Sequence, residues 1–232
     1  MHNEILRVNK LNVSLNGDEI LKDLNFSVKK GEVLIILGPN GAGKTTLFKS
    51  LLGLLPYSGE VIWHSKRISY LPPRELIHRK ELPPLTLEDF FKFKKVSSYK
   101  IAKILNQVGL DPNILKKGFE SLSTGQFQRM LIAWGLVDEP EVLLFDEPAY
   151  GIDIGGQETV YSLLQNFWKE HNLTILLITH DLSIVWGHAD NVLCLNKNYY
   201  CYGKPQEVIT PKELEKLYGT GIEFYEHSHI GS

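Results

Sequence analysis

Cysteine is scarce in this chain: two residues, Cys194 and Cys201, among 232. That count excludes a framework of disulfides, and a reducing, cytosolic setting is the simpler reading. Both lie in apolar surroundings, VLCLN and YYCYG, which predicts buried small side chains rather than reactive thiols. Net charge is nearly absent as well, 25 Lys and Arg against 27 Asp and Glu. A balance of −2 gives no basis for broad attraction to nucleic acid or anionic lipid. Long apolar runs are missing too. The longest, such as VLIIL and ILLI, are strand-sized and far short of the ~20 residues that cross a bilayer. The opening MHNEILRVNK has no apolar stretch of signal-peptide length, so work at a membrane is expected to pass through a partner. There is no internal repeat and no low-complexity linker. What remains is a hydrophobic share of 43%, ordinary for a globular protein and enough for a full core.

Local patterning divides the chain into strands and helices. Residues 4–15 and 20–29 alternate as strands do, joined by the turn NGDE. EVLIILG at 32–38 is a continuous apolar run ending in glycine, which suits a strand buried on both faces. KTTLFKSLLGLL at 44–55 has helical spacing and stops before Pro56, and a further β piece, GEVIWHSKRISYL, follows. Pro72, Pro73, Pro83 and Pro84 then break regular structure. An exposed connection leads to helices at about 87–94 and 98–109, with Lys92, Lys94 and Lys95 as solvated charge. A helix at 125–138, a strand at 141–145, a helix at 153–171 and a strand at 173–179 come next. Two short strands and short helices around 205–218 close the pattern. Strand–helix alternation through the middle predicts a mostly parallel sheet covered by helices.

Chemistry concentrates first in GPNGAGKTT, Gly38 to Thr46: Gly38, Pro39, Asn40, Gly41, Ala42, Gly43, Lys44, Thr45 and Thr46. The spacing G-x-x-x-x-G-K-T, set between a strand and a helix, is the context of a phosphate-binding loop. Glycines let backbone N–H groups turn inward, and the helix N-terminus faces the anion with partial positive charge. Lys44 would neutralise the β- and γ-phosphates of a triphosphate, and the Thr45 hydroxyl would coordinate Mg²⁺. A second signal is EVLLFDEP, an apolar strand ending in Asp146 and Glu147. Asp146 is expected to hold Mg²⁺ and Glu147 to orient an attacking water as general base. Read alone, the stretch is a strand followed by two surface acids.

Between these motifs, LSTGQFQRMLIAWGL resembles the signature segment of the ATP-binding cassette (ABC) ATPases. L-S-G-G-Q appears as Leu122, Ser123, Thr124, Gly125 and Gln126, with Thr124 in place of the first glycine. Serine and glycine at a helix start form a second anion-seeking cap. AYGID is similar to the family's D-loop, placing Asp153 at a subunit contact, and LLITHD is similar to its switch segment, with His180 directed at the γ-phosphate. Two positions depart from the family pattern. ISYLPPREL has Pro73 where a glutamine usually contacts Mg²⁺, so that contact is absent or falls to Arg74 or Glu75. Leu15 stands where an aromatic usually stacks on adenine and offers less surface to the base.

The resemblance covers about residues 4 to 218 and implies a single ABC ATPase domain. Its fold would be α/β, a RecA-like P-loop NTPase core with an antiparallel β subdomain and a helical signature subdomain at about 72–138. A flexible tail would follow at about 219–232. It further implies ATP and Mg²⁺ as cofactors, a homodimer packed head to tail, and docking on integral membrane permease subunits at the cytoplasmic face of the cell membrane. ELPPLTLEDFF, FDEPAYGID and DNVLCLNKNYYCYGKPQEV together are similar to the ATPases of bacterial zinc and manganese importers. In such systems an extracytoplasmic metal-binding protein acts indirectly, and nucleic acid is not a partner. His227 and His229 in YEHSHIGS are a poor metal site without further ligands. Open alternatives are a soluble ABC ATPase in a non-transport assembly or regulatory complex, and a binding-only module with little turnover.

Overall fold

The computed structural model describes residues 3–73, 77, 84–148, 154–197 and 199–219, with the side chains of 154–160 and 166 excepted. Asp153, Arg74, Glu75, Pro83 and the tail with His227 and His229 lie outside the described residues.

Among the described residues, two sheets organise the fold. β1 (Glu4–Leu15) and β2 (Asp18–Lys29) form a long hairpin, and β4 (Ser58–Trp63) adds to it in the order β2-β1-β4, all antiparallel. The alternation seen in the sequence is the alternation of burial: Leu6, Val8, Leu11 and Val13 face the core while Arg7 and Lys10 face out. The second sheet has six strands in the order β5-β6-β7-β3-β8-β9. Its members are β3 (Val33–Leu37), β5 (Ile68–Leu71), β6 (Val142–Asp146), β7 (Thr174–Ile178), β8 (Asn191–Asn196) and β9 (Tyr199–Gly203). All pairings are parallel except β8 with β9. β3, β6 and β7 are buried along their whole length because both faces are covered. Val33, Ile35 and Leu37 join one core, built with the helices, and Leu34 and Ile36 join the other, built with the antiparallel sheet. Alternate residues of one strand thus serve two hydrophobic layers.

Among the described residues the α-helices are α1 (Lys44–Leu51), α2 (Leu87–Lys92), α3 (Ser98–Gln107), α4 (Thr124–Leu136), α5 (Ile154–His171), α6 (Leu182–His188), α7 (Pro205–Val208) and α8 (Pro211–Tyr218). Among the described residues, none is long and apolar enough to cross a membrane. α2 to α4 pack around Phe91, Phe119, Phe127 and Met130, all buried. Each such side chain contributes roughly 1.5–3 kcal/mol by leaving water. Phe90 stacks on Trp134 at 3.8 Å between ring centres.

The structure departs from the sequence reading at several points. GEVIWHSKRISYL is not one β piece: β4 belongs to the antiparallel sheet and β5 to the parallel one. Local alternation carries no information about which sheet a strand will join. α1 ends at Leu51, followed by a hydrogen-bonded turn through Gly53, instead of running on to 55. Lys94 is more than solvated charge. It bonds Asp138 at 2.6 Å and lies over the Trp134 ring at 4.7 Å. The strand register also brings the cysteines together. β8 and β9 are antiparallel in a register that sets Cys194 directly opposite Cys201, with Cα atoms 4.9 Å apart. Cys194 is buried and Cys201 half-buried, as their apolar surroundings predict, while their pairing across strands is not visible locally.

Candidate functional site

The strand order brings the chemistry together. β6, β7 and β3 are neighbours, and all three run the same way, so their carboxyl ends lie side by side. The loop Gly38–Gly43 leaves the end of β3, Asp146 and Glu147 the end of β6, and Thr179 and His180 the end of β7. Crevices at such strand ends are where open α/β sheets bind ligands.

The loop's conformation depends on glycine at two places. A Cβ on Gly38 would run into the carbonyl oxygen of Leu195 on β8. Gly43 has φ +92° immediately before α1, and a side chain there would press on Leu21 and Ile20. Lys44 then folds back, and its Nζ donates to the carbonyls of Gly38 at 2.8 Å and Pro39 at 3.0 Å. Only 5% of its side chain is exposed, and burial lowers its pKa against the opposing pull of Glu147 and Asp146. The Thr45 hydroxyl donates to Asp146 Oδ2 at 2.7 Å. Burial raises the Asp146 carboxyl to about 6, with the Thr45 hydrogen bond acting the other way.

Glu147 sits in the left-handed region at φ 50°, an uncommon conformation for a side chain of this size. Its N–H donates to the Ile178 carbonyl at 3.0 Å, which anchors the turn to β7. The carboxylate is thereby aimed at His180, with Oε1 2.7 Å from Nε2, and at Lys44, 3.9 Å away. The His180 hydrogen bond is the main reason its pKa is lowered. Behind His180, Thr179 accepts a bond from the Asp181 N–H and meets the buried Tyr161 hydroxyl at 3.0 Å. Tyr161 had no signal in the sequence, since it looks like an ordinary helix residue, while Thr179 lies within LLITHD.

A pocket of about 380 Å³ is lined by Ile20, Asn40, Gly41, Ala42, Gly43, Lys44, Thr45, Thr46, Pro73, Asp146 and Glu147. Ile20 is an addition, while Pro73 was already singled out by ISYLPPREL. Leu15 does not line it; it ends β1 opposite Asp18 and packs partly against the core. The signature residues lie elsewhere too. Ser123 caps α4 in a reciprocal capping box with Gln126, and Ser123, Thr124, Gly125 and Gln126 are all at least partly exposed away from this pocket. The glycine-rich loop and the α4 cap therefore lie at separate surfaces of the chain. The donors near the loop are oxygens, Thr45 Oγ1 and the Asp146 carboxylate, a set suited to Mg²⁺, which takes few protein ligands beside phosphates and waters. No group of three or more His, Cys, Asp or Glu side chains that could hold a metal occurs among the described residues.

Comparison with known proteins finds likeness along nearly the whole chain. The family model described as ABC transporter matches residues 21–150. The zinc import ATP-binding protein ZnuC of Pseudomonas syringae pv. syringae is 34% identical, the match covering 99% of this chain and 88% of that one. ZnuC of Yersinia pestis bv. Antiqua is 36% identical over 97% of this chain and 90% of that protein. Among solved structures, an ABC transporter in an inward-facing conformation superposes with a TM-score of 0.82 at 28% identity, covering 93% and 89% of the two chains. The cbiO1 protein of Clostridium perfringens, part of the ABC transporter complex cbiONQ, gives 0.77 at 30% identity, covering 92% and 94%. Alike in fold and in sequence over nearly its whole length, this chain belongs to the ABC transporter family and is one of its ATP-binding, ATP-hydrolysing proteins.

Proposed function

We propose that this ATPase is the nucleotide-binding subunit of a metal-ion importer, with zinc as the cargo and manganese as the alternative. The observation that carries the cargo is the likeness, over nearly the whole chain, to zinc import ATP-binding proteins. The chain would work at the cytoplasmic face of the cell membrane, docked on permease subunits through the segment after Tyr70. A metal-binding protein outside the membrane would deliver the cargo.

In the proposed cycle Lys44 exchanges its carbonyl partners for the β- and γ-phosphates, a substitution favoured by its burial and the N-terminus of α1. Thr45 and Asp146 would hold Mg²⁺, which when bound supplies positive charge against the phosphate oxygens. Glu147, held ionised by His180 and Lys44, accepts a proton from the attacking water, and His180 faces the γ-phosphate. Pro73 at the pocket wall offers no polar side chain, so it adds nothing to metal binding. Leu15 would give the adenine only an apolar edge. Ser123, Thr124, Gly125 and Gln126 of a second copy would close over the γ-phosphate, and Asp153 would lie at that contact. Support for a head-to-tail dimer is the separation of signature and phosphate loop on one chain.

Cells lacking the chain should lose high-affinity uptake of radiolabelled zinc and regain it with the wild-type protein but not with Lys44→Ala. Restoration of manganese uptake alone would move the cargo to manganese, and restoration by Lys44→Ala would refute ATP-driven import.

A further inference from the structure

A second cavity, of about 270 Å³, lies at the opposite end of the parallel sheet, where β3, β5, β6 and β7 begin. Its floor is apolar: Ile104 of α3, Leu136 and Val137 at the end of α4, Phe167 of α5 and Leu173 are all buried. Its rim holds four permanent cations, Lys30, Arg67, Lys100 and Lys103, with His171 beside them. The two rim carboxylates are already engaged. Glu141 meets Arg67 at 2.7 Å and Lys30 at 3.8 Å, and Glu139 meets Lys100 at 3.1 Å. Lys103 has no ion-pair partner among the described residues. The cavity is thus net positive above a hydrophobic floor, and its volume approaches the ~300 Å³ at which ligand pockets begin.

We propose that this cavity is a second binding site, independent of the nucleotide pocket, for a small amphipathic organic anion: an apolar body against Ile104 and Phe167, with an anionic head toward Lys103. The position gives such a ligand leverage. Leu136, Val137, Glu139, Pro140 and Glu141 form the passage from α4, which begins at the signature cap, to β6, which ends at Asp146. A ligand held here clamps α3 and the end of α4 against the core and so biases how the signature helix is presented. The site does not rest on the proposed cargo or on the identity of the general base.

Anilinonaphthalene sulfonate, an aromatic sulfonate whose fluorescence rises in apolar surroundings, is a suitable probe for the full-length chain. It should bind at one saturable site per chain, more weakly as salt screens the rim. Lys103→Glu should weaken binding roughly tenfold or more, the scale of one charge-assisted hydrogen bond. Gln107→Trp, which fills the cavity without changing charge, should abolish it. Both variants should keep wild-type melting behaviour and Mg·ATP binding, and Lys44→Ala should bind the probe normally. Unchanged affinity in both folded variants, or displacement of the probe by Mg·ATP with loss in Lys44→Ala, would overturn the proposal.

Discussion

At Asp146 burial works against ionisation. The carboxyl is raised to about 6, chiefly by desolvation, from the ordinary value near 3.9. Below about pH 4 it is protonated folded or unfolded and costs nothing. Above about pH 6 it is ionised in both states, and the folded protein bears the full cost. Its contribution to stability therefore falls as pH rises from about 4 to about 6, by roughly 3 kcal/mol for a shift of this size. Asp146→Asn, which keeps the acceptor for Thr45, should remove that dependence. In urea titrations of protein free of nucleotide and metal, the variant should gain on the wild type by roughly 2–3 kcal/mol between pH 4 and pH 7. A difference that stays flat with pH would show that Asp146 is better solvated than its surroundings imply. Glu147, one residue on, has the opposite shift because His180 donates to it. Glu147→Gln should leave Mg·ATP binding in place and lower steady-state phosphate release by roughly 10²–10⁴-fold, the usual share of a general base. Release at the wild-type rate would remove Glu147 from that role.

At the scale of the element, α4 shows how a helix is started and what its start can serve. Ser123 Oγ accepts from the Gln126 N–H at 3.2 Å, while Gln126 Oε1 accepts from the Ser123 N–H at 3.1 Å. Two otherwise unpaired donors are thereby satisfied without help from the rest of the protein. Ser123→Ala should cost about 1 kcal/mol in chemical denaturation, the usual value of such a cap. No loss would mean that water replaces the hydroxyl at this exposed end. The segment is legible in the sequence because a capping box is local chemistry, as is G-x-x-x-x-G-K-T before α1. The fate of β4 and β5 is not legible in this way. Six and four residues of similar composition enter different sheets because their partners, β1 and β6, lie far off along the chain. Lys94 likewise finds Asp138 and Trp134 only through the packing of α2 against α4.

At the scale of the whole molecule, the separation of the signature cap from the phosphate loop makes concentration a test of mechanism. If a second copy supplies Ser123 to Gln126, turnover per chain should rise with protein concentration and then saturate, with light scattering reporting an ATP-dependent doubling of mass. Ser123→Arg should abolish turnover while each monomer still binds Mg·ATP with near wild-type affinity. Turnover per chain that is constant down to concentrations where only monomer is present would rule out a shared site.

Local chemistry in the sequence determined the glycine-rich loop before α1, the acidic strand end, the Ser123 cap and the buried parallel strands, because each is set by neighbours a few residues away. Tertiary structure alone decided the rest. The order β6-β7-β3 set His180 within 2.7 Å of Glu147, and the β8–β9 register placed Cys194 opposite Cys201. The packing of α3 to α5 on the strand starts enclosed a cationic cavity from residues spread between Lys30 and Leu173. Pairings of that kind depend on which distant segments become adjacent, and no local pattern of apolar and polar residues encodes it.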